Sequence, residues 1–133
     1  MKPVFADTSY YVALLSDRDE RHLSAVHWSE TLLGQQVVTE YVLVELGSMF
    51  ANVRDRHQFV PFVDHLLADA GTLFIPASTG LLRRGMALFA SRPDKEWSLV
   101  DCISFVVMKE RRLTDALTTD HHFVQADFKA LLR

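Results

Sequence analysis

The chain has 133 residues, 49% of them hydrophobic, with 14 Lys and Arg against 17 Asp and Glu for a formal charge of −3. That length supports one domain with a real core, and the apolar content excludes a low-complexity or disordered chain. No apolar run reaches the roughly 18 residues of a membrane span, and Asp7 comes too early for a secretory core. A single cysteine, Cys102, cannot form an internal disulfide and points to the reducing cytosol. Taken alone, the negative charge argues against a nucleic-acid partner.

In chain order, Val4-Phe5-Ala6 after Pro3 reads as a buried strand ending at Asp7. Tyr10 to Leu15 is apolar and gives way to the polar turn Ser16 to Arg21. From His22 to Leu33 the residues Leu23, Val26, Leu32 and Leu33 follow a helical period that Gly34 closes. Val37-Val38 is a second strand. Thr39 is an N-cap, with Glu40 in the first turn where its charge suits the helix dipole.

The helix that follows carries an apolar stripe of Val42, Leu46, Met49, Phe50 and Val53. A further stripe runs through Phe59, Phe62, Val63, Leu66, Leu67 and Ala70, where Pro61 demands a late start or a kink. Leu73-Phe74-Ile75 is a third strand, and Leu81 to Phe89 a helix that stops before Pro93. Ser98 to Arg112 is a strongly apolar helix. Ala116-Leu117-Thr118 is a fourth strand, and a last short element lies within Asp127 to Leu132. With no repeat, charge block or linker, residues 1–133 read as a single unit. Short apolar strands alternating with amphipathic helices predict a parallel sheet covered on both faces.

Four acids fall where the pattern expects burial. Asp7 ends the first strand, at the edge where open parallel sheets bind ligands, or else caps the next helix. Glu45 lies inside an apolar stripe, where a carboxylate needs a partner, a cation or an edge that reaches water. Asp101 sits in the apolar run Leu99 to Met108, and Ser98-Leu99-Val100-Asp101 fits a capping box. Asp120 ends the fourth strand as Asp7 ends the first, or serves the turn before His121-His122. Clustered carboxylates cannot all stay ionised without a positive partner. All-oxygen ligation selects a hard cation, Mg2+ or Mn2+, which polarises phosphate oxygens and activates water.

Competing patterns are absent. There is no H-E-x-x-H, no G-x-S-x-G and no glycine-rich phosphate loop. His121 and His122, as neighbours, are expected to point apart at the surface. A receiver-type signalling domain would want paired acids after the first strand, where Asp7 stands alone.

Taken in order, Asp7, Glu45, Asp101 and Asp120 resemble the acids of the PIN-domain ribonucleases, and within these the VapC toxins of prokaryotic toxin–antitoxin modules. The segments that carry the likeness are Val4 to Ser9, Val44-Glu45-Leu46, Trp97 to Cys102 and Leu117 to Phe123. The resemblance covers essentially the whole chain. It implies a three-layer α/β/α sandwich with a central, mainly parallel sheet and the four acids in one pocket. It also implies an endoribonuclease that uses Mg2+ or Mn2+, with Asp7, Glu45, Asp101 and Asp120 as metal-binding and catalytic acids. Thr118 matches the family's hydroxyl position two residues before the last acid, and Ser9 a small polar position after the first.

The partners implied are RNA, a small antitoxin and a second copy of the chain, in the cytoplasm and away from membranes. The alternative is a regulatory domain of similar architecture that binds Mg2+ or RNA without turnover. Arg83-Arg84, Arg111-Arg112 and Arg54 with Arg56 offer positive patches for a phosphate backbone. Trp97 and Phe123 are placed either to stack bases or to pack the core. Once the four acids are set apart from the 17, the remainder no longer outnumber the 14 cations, and the charge argument against RNA lapses.

Overall fold

The computed structural model describes residues 2–133, and β1 (Val4–Ala6) runs through its centre. All three β1 residues are buried, so the apolar run leaves no face for water. The chain continues through α1 (Thr8–Leu15), α2 (His22–Thr31), β2 (Gln36–Thr39), α3 (Glu40–Met49) and α4 (Phe59–Ala68). Then follow β3 (Thr72–Ile75), α5 (Thr79–Ser91), α6 (Leu99–Glu110), β4 (Asp115–Leu117), α7 (His121–Gln125) and β5 (Lys129–Ala130).

The strand order is β3-β2-β1-β4-β5, and every pairing is parallel. Phe5 lies opposite Ala116 and Ala6 opposite Leu117, while Val4 faces Gln36 on the other side. The first half of the chain builds outward from β1 through β2 to β3, and the second half returns to the opposite side through β4 and β5. Right-handed crossovers therefore put α1 to α4 over one face and α5 to α7 over the other. The packing agrees: α1 lies against α2 and α3, and α6 against α5 and α7. The expected three-layer α/β/α sandwich is the fold observed. The reversal between β1 and β4 leaves a crevice at their C-terminal ends, where such sheets hold ligands.

Local chemistry explains most element ends. Thr39 caps α3, its Oγ1 accepting from the Val42 amide at 3.2 Å. Pro61 falls in the first turn of α4, the late start that its missing amide allows. α6 ends on Arg112 at φ 56°, with Leu113 N–H donating to the Met108 carbonyl at 2.8 Å, a Schellman closure without glycine. Phe105 holds the second helical layer together, its ring edge-on to Trp97 at 5.0 Å and to Phe123 at 4.9 Å.

Several expectations need correction. α2 stops at Thr31, short of Gly34, and both Leu23 and Leu33 are exposed. The α3 stripe is Val42, Leu43, Leu46 and Phe50; Met49 faces solvent, and Val53 lies in the turn after the helix has ended. Asp115 begins β4 rather than preceding it, which leaves Thr118 just past the strand. Of the two readings of Trp97 and Phe123, core packing is the one observed, both rings being buried. No helix among the described residues is long and apolar enough to cross a membrane.

Candidate metal centre at the sheet edge

Asp7 occupies the N-cap position of α1, yet its side chain makes no capping hydrogen bond. Its Oδ2 instead accepts from Ser9 Oγ and from Thr118 Oγ1, each at 2.8 Å. The two hydroxyls lie 3.1 Å apart, and each also receives a backbone amide. Thr119 N–H donates to Ser9 Oγ at 3.0 Å, and Asp120 N–H to Thr118 Oγ1 at 3.0 Å. The ends of β1 and β4 are thus laced together around one carboxylate. Burial pushes the Asp7 carboxyl up to about 6, against the pull of the two hydroxyl donors, and the charge of nearby Asp101 adds to the rise.

Asp101 enters from the first turn of α6. It forms the expected capping box, with Asp101 N–H donating to Ser98 Oγ at 3.0 Å and Ser98 N–H to Asp101 Oδ2 at 3.1 Å. Its pKa is raised, chiefly by burial and further by Asp120, while the Ser98 amide and His122 hold it back. Asp120 caps α7, its Oδ1 accepting from His122 N–H at 2.9 Å. Each of these two acids therefore holds a helix end, Asp120 as the cap of α7 and Asp101 as the capping-box partner of Ser98.

The structure accordingly brings Asp7, Asp101, Asp120 and Thr118 together. It treats Glu45 differently. That residue is half-buried on α3, at the border between the buried stripe and exposed Val44 and Ser48. It lines a shallow cleft with Val100, the neighbour of Asp101, and no hydrogen bond or ion pair joins it to the other acids among the described residues. The apolar stripe passes beside Glu45 rather than through it.

Two residues gain a place here that their spacing did not reveal. His122 Nδ1 lies 3.0 Å from Asp101 Oδ2 and 3.4 Å from Asp120 Oδ1, in a half-buried position. The His121 ring stands beside it with centroids 4.5 Å apart, so the two histidines do not diverge as expected. The available signal was a histidine two residues past an acid that caps a short helix after the fourth strand. Arg133 donates from Nη1 to the Thr119 carbonyl at 3.2 Å, one residue from Asp120. Among the described residues, no Lys or Arg forms an ion pair with Asp7, Asp101 or Asp120. Of the expected arginine patches, Arg84 pairs with Glu110 at 2.7 Å, whereas Arg56 donates to the Ala51 carbonyl and keeps its positive charge.

A parallel sheet whose reversal point carries three carboxylates defines a class of protein, and the sequence agrees with it: residues 4–129 match the PIN domain, and the chain belongs to that family. No curated protein matches the chain in sequence. Its fold is similar to that of VapC20 of Mycobacterium tuberculosis, a toxin that cleaves the sarcin-ricin loop. The TM-score is 0.85 at 24% identity, covering 94% of this chain and 95% of that one. It is also similar to FitAcB from Neisseria gonorrhoeae, with a TM-score of 0.63 at 18% identity over 96% and 95% of the two chains.

Proposed function

We propose that the chain is an endoribonuclease dependent on Mg2+ or Mn2+ and the toxin of a toxin–antitoxin pair. The observation that carries this reading is the convergence of Asp7, Asp101 and Asp120, from three separate elements, with no Lys or Arg ion-paired to them among the described residues. The donor set suits a hard divalent cation, since it offers carboxylate oxygens close together in a crevice. Asp7, with its carboxyl raised to about 6, is a group whose charge the chain itself does not compensate. Asp7, Asp101 and Asp120 would hold the cation, with Glu45 on α3 as the fourth acid of the set. When bound, the cation supplies Lewis-acid polarisation of the phosphodiester and a water acidic enough to attack it.

The chain's own residues have defined tasks in that reading. Ser9 and Thr118 fix the Asp7 carboxylate so that it does not turn away from the crevice. Ser98 and His122 do the same for Asp101. Arg133, whose guanidinium reaches the Thr119 carbonyl next to Asp120, would contact a backbone phosphate of RNA. Exposed Val44, Met49 and Val53 give apolar surface that an antitoxin or a second copy would cover. The protein would act in the cytoplasm, as a single domain.

The test is to incubate labelled RNA with pure protein in Mg2+, in Mn2+ and in EDTA. Cleavage is expected only with metal, and Asp7→Asn and Asp101→Asn are expected to abolish it while the far-UV circular dichroism of the fold persists. Cleavage that survives EDTA and both substitutions would sink this reading.

A further inference from the structure

Nothing in an all-oxygen site calls for histidine, yet two imidazoles stand at its margin. His121 Nδ1 lies 3.6 Å from Asp120 Oδ1, and His122 Nδ1 lies 3.4 Å from the same oxygen. His122 Nδ1 is also 3.0 Å from Asp101 Oδ2. One ligand atom from each of Asp120, His121 and His122 can be chosen so that all lie within 4.8 Å of one another. Two ligands each about 2.1 Å from a zinc ion sit roughly 3.4 Å apart at the tetrahedral angle. The two imidazole distances to Asp120 Oδ1, 3.6 and 3.4 Å, match that spacing, and Asp101 adjoins the triad through His122 at 3.0 Å, so side-chain rotations would complete the set.

The surroundings favour such a site. The His122 side chain is 19% exposed and that of Asp101 11%, so half of the set is already held in place. His121 is open to solvent and can swing onto an ion. Mixed imidazole and carboxylate donors rank first-row transition metals far above Mg2+.

We propose that Asp101, Asp120, His121 and His122 form a nitrogen–oxygen site for a transition-metal ion, with Zn2+ as its ligand. The site is distinct in donor type from the oxygen cluster around Asp7, but it shares Asp101 and Asp120 with it. An ion held through the histidines therefore withdraws two carboxylates from the hard cation. The binding claim stands on geometry alone; the further consequence, that Zn2+ suppresses Mg2+-dependent cleavage, rests on the nuclease reading.

The test titrates the full chain, stripped of metal by chelator, with Zn2+, Co2+ and Mg2+ separately. Calorimetry gives affinity and stoichiometry, and the visible absorption of Co2+ reports nitrogen ligation. One Zn2+ per chain is expected, at least a hundredfold tighter than Mg2+, with intense Co2+ bands. His121→Ala, at an exposed position, and His122→Gln, which keeps a donor for Asp101, are each expected to lower the Zn2+-to-Mg2+ affinity ratio tenfold or more. Asp7→Asn is expected to leave Zn2+ affinity within threefold of wild type.

Equal Zn2+ affinity in wild type and both histidine variants would overturn the site, as would wild-type Zn2+ binding no tighter than Mg2+. Either result alongside RNA cleavage in Mg2+ would leave the nuclease reading standing. Zn2+ held through the histidines by a chain that cleaves no RNA in any metal would do the reverse.

Discussion

Thr118 Oγ1 donates to Asp7 Oδ2 at 2.8 Å, joining residues 111 positions apart in the chain. The bond exists because β1 and β4 are neighbours in the sheet, with Ala6 beside Leu117. The same hydroxyl accepts from Asp120 N–H at 3.0 Å, so one buried oxygen sets the separation of two site acids. Thr118→Val removes both bonds at nearly constant shape and leaves the Asp120 amide without that partner. We expect a loss of about 1–3 kcal/mol in stability together with reduced cleavage, and Thr118→Ser is expected to restore most of both. Urea melts and a cleavage assay on the three proteins check this; a Val variant matching wild type in both would refute it.

The Asp7 carboxyl makes a prediction about pH. Its pKa rises from 3.8 to about 6 on folding, chiefly through burial, so the folded state binds the proton more tightly than the unfolded one. Stability from this group is therefore fully present below about pH 4 and is lost as pH rises through about 6. Without metal, wild type should lose about 3 kcal/mol across that window, from a shift of about two units at 1.36 kcal/mol each. Asp7→Asn, which cannot ionise, should be more stable than wild type at pH 7–8 in EDTA, with a flatter profile. Denaturant melts from pH 4 to 8 decide it, and parallel curves for the two proteins would count against the buried charge.

The capping box separates structure from site. Ser98→Ala removes the cap on the Asp101 amide and should cost about 1 kcal/mol, within the usual range for N-caps. Asp101→Ala removes the reciprocal bond to Ser98 N–H and the contact with His122 as well, and should lose metal binding besides. Thermal melts with and without Mn2+ distinguish the two. A ligand-induced rise in Tm is expected for Ser98→Ala and not for Asp101→Ala.

Where α5 crosses α6, Gly85 lies so close to Ile103 that an added Cβ would overlap the Ile103 side chain and stand 3.3 Å from its Cα. Backbone does not yield as a flexible side chain does. Gly85→Ala should therefore destabilise by roughly 1–3 kcal/mol despite the better helix propensity of alanine. A Tm unchanged or raised would show that the helices can separate without penalty.

Much of this molecule could be read before its coordinates. The strands showed because each is a short apolar run, and Asp7, Asp101 and Asp120 stood out against buried surroundings. What stayed hidden depends on neighbours in space. The period of α3 located a stripe but not its margins, so Glu45 and Met49 were placed inside it. Ser9 is legible only as a small polar residue after Asp7, since that spacing carries no hint of Thr118 and Thr119 meeting it across the sheet. Sequence adjacency implied that His121 and His122 diverge, but rotamers around Asp120 bring them together.

Asp101 and Asp120 each hold a helix end, whereas Asp7 caps nothing and sits as a buried charge. The three acids therefore differ in how a lineage can lose them. Under selection against activity, substitutions at Asp101 or Asp120 are expected to loosen a helix end as well, lowering the yield of folded protein. Asp7→Asn removes the buried charge and is expected to relieve the fold. Survivors of forced overexpression should thus be enriched for Asp7 variants that accumulate as full-length, well-folded protein, leaving any partner that recognises the surface still able to bind an inactive decoy.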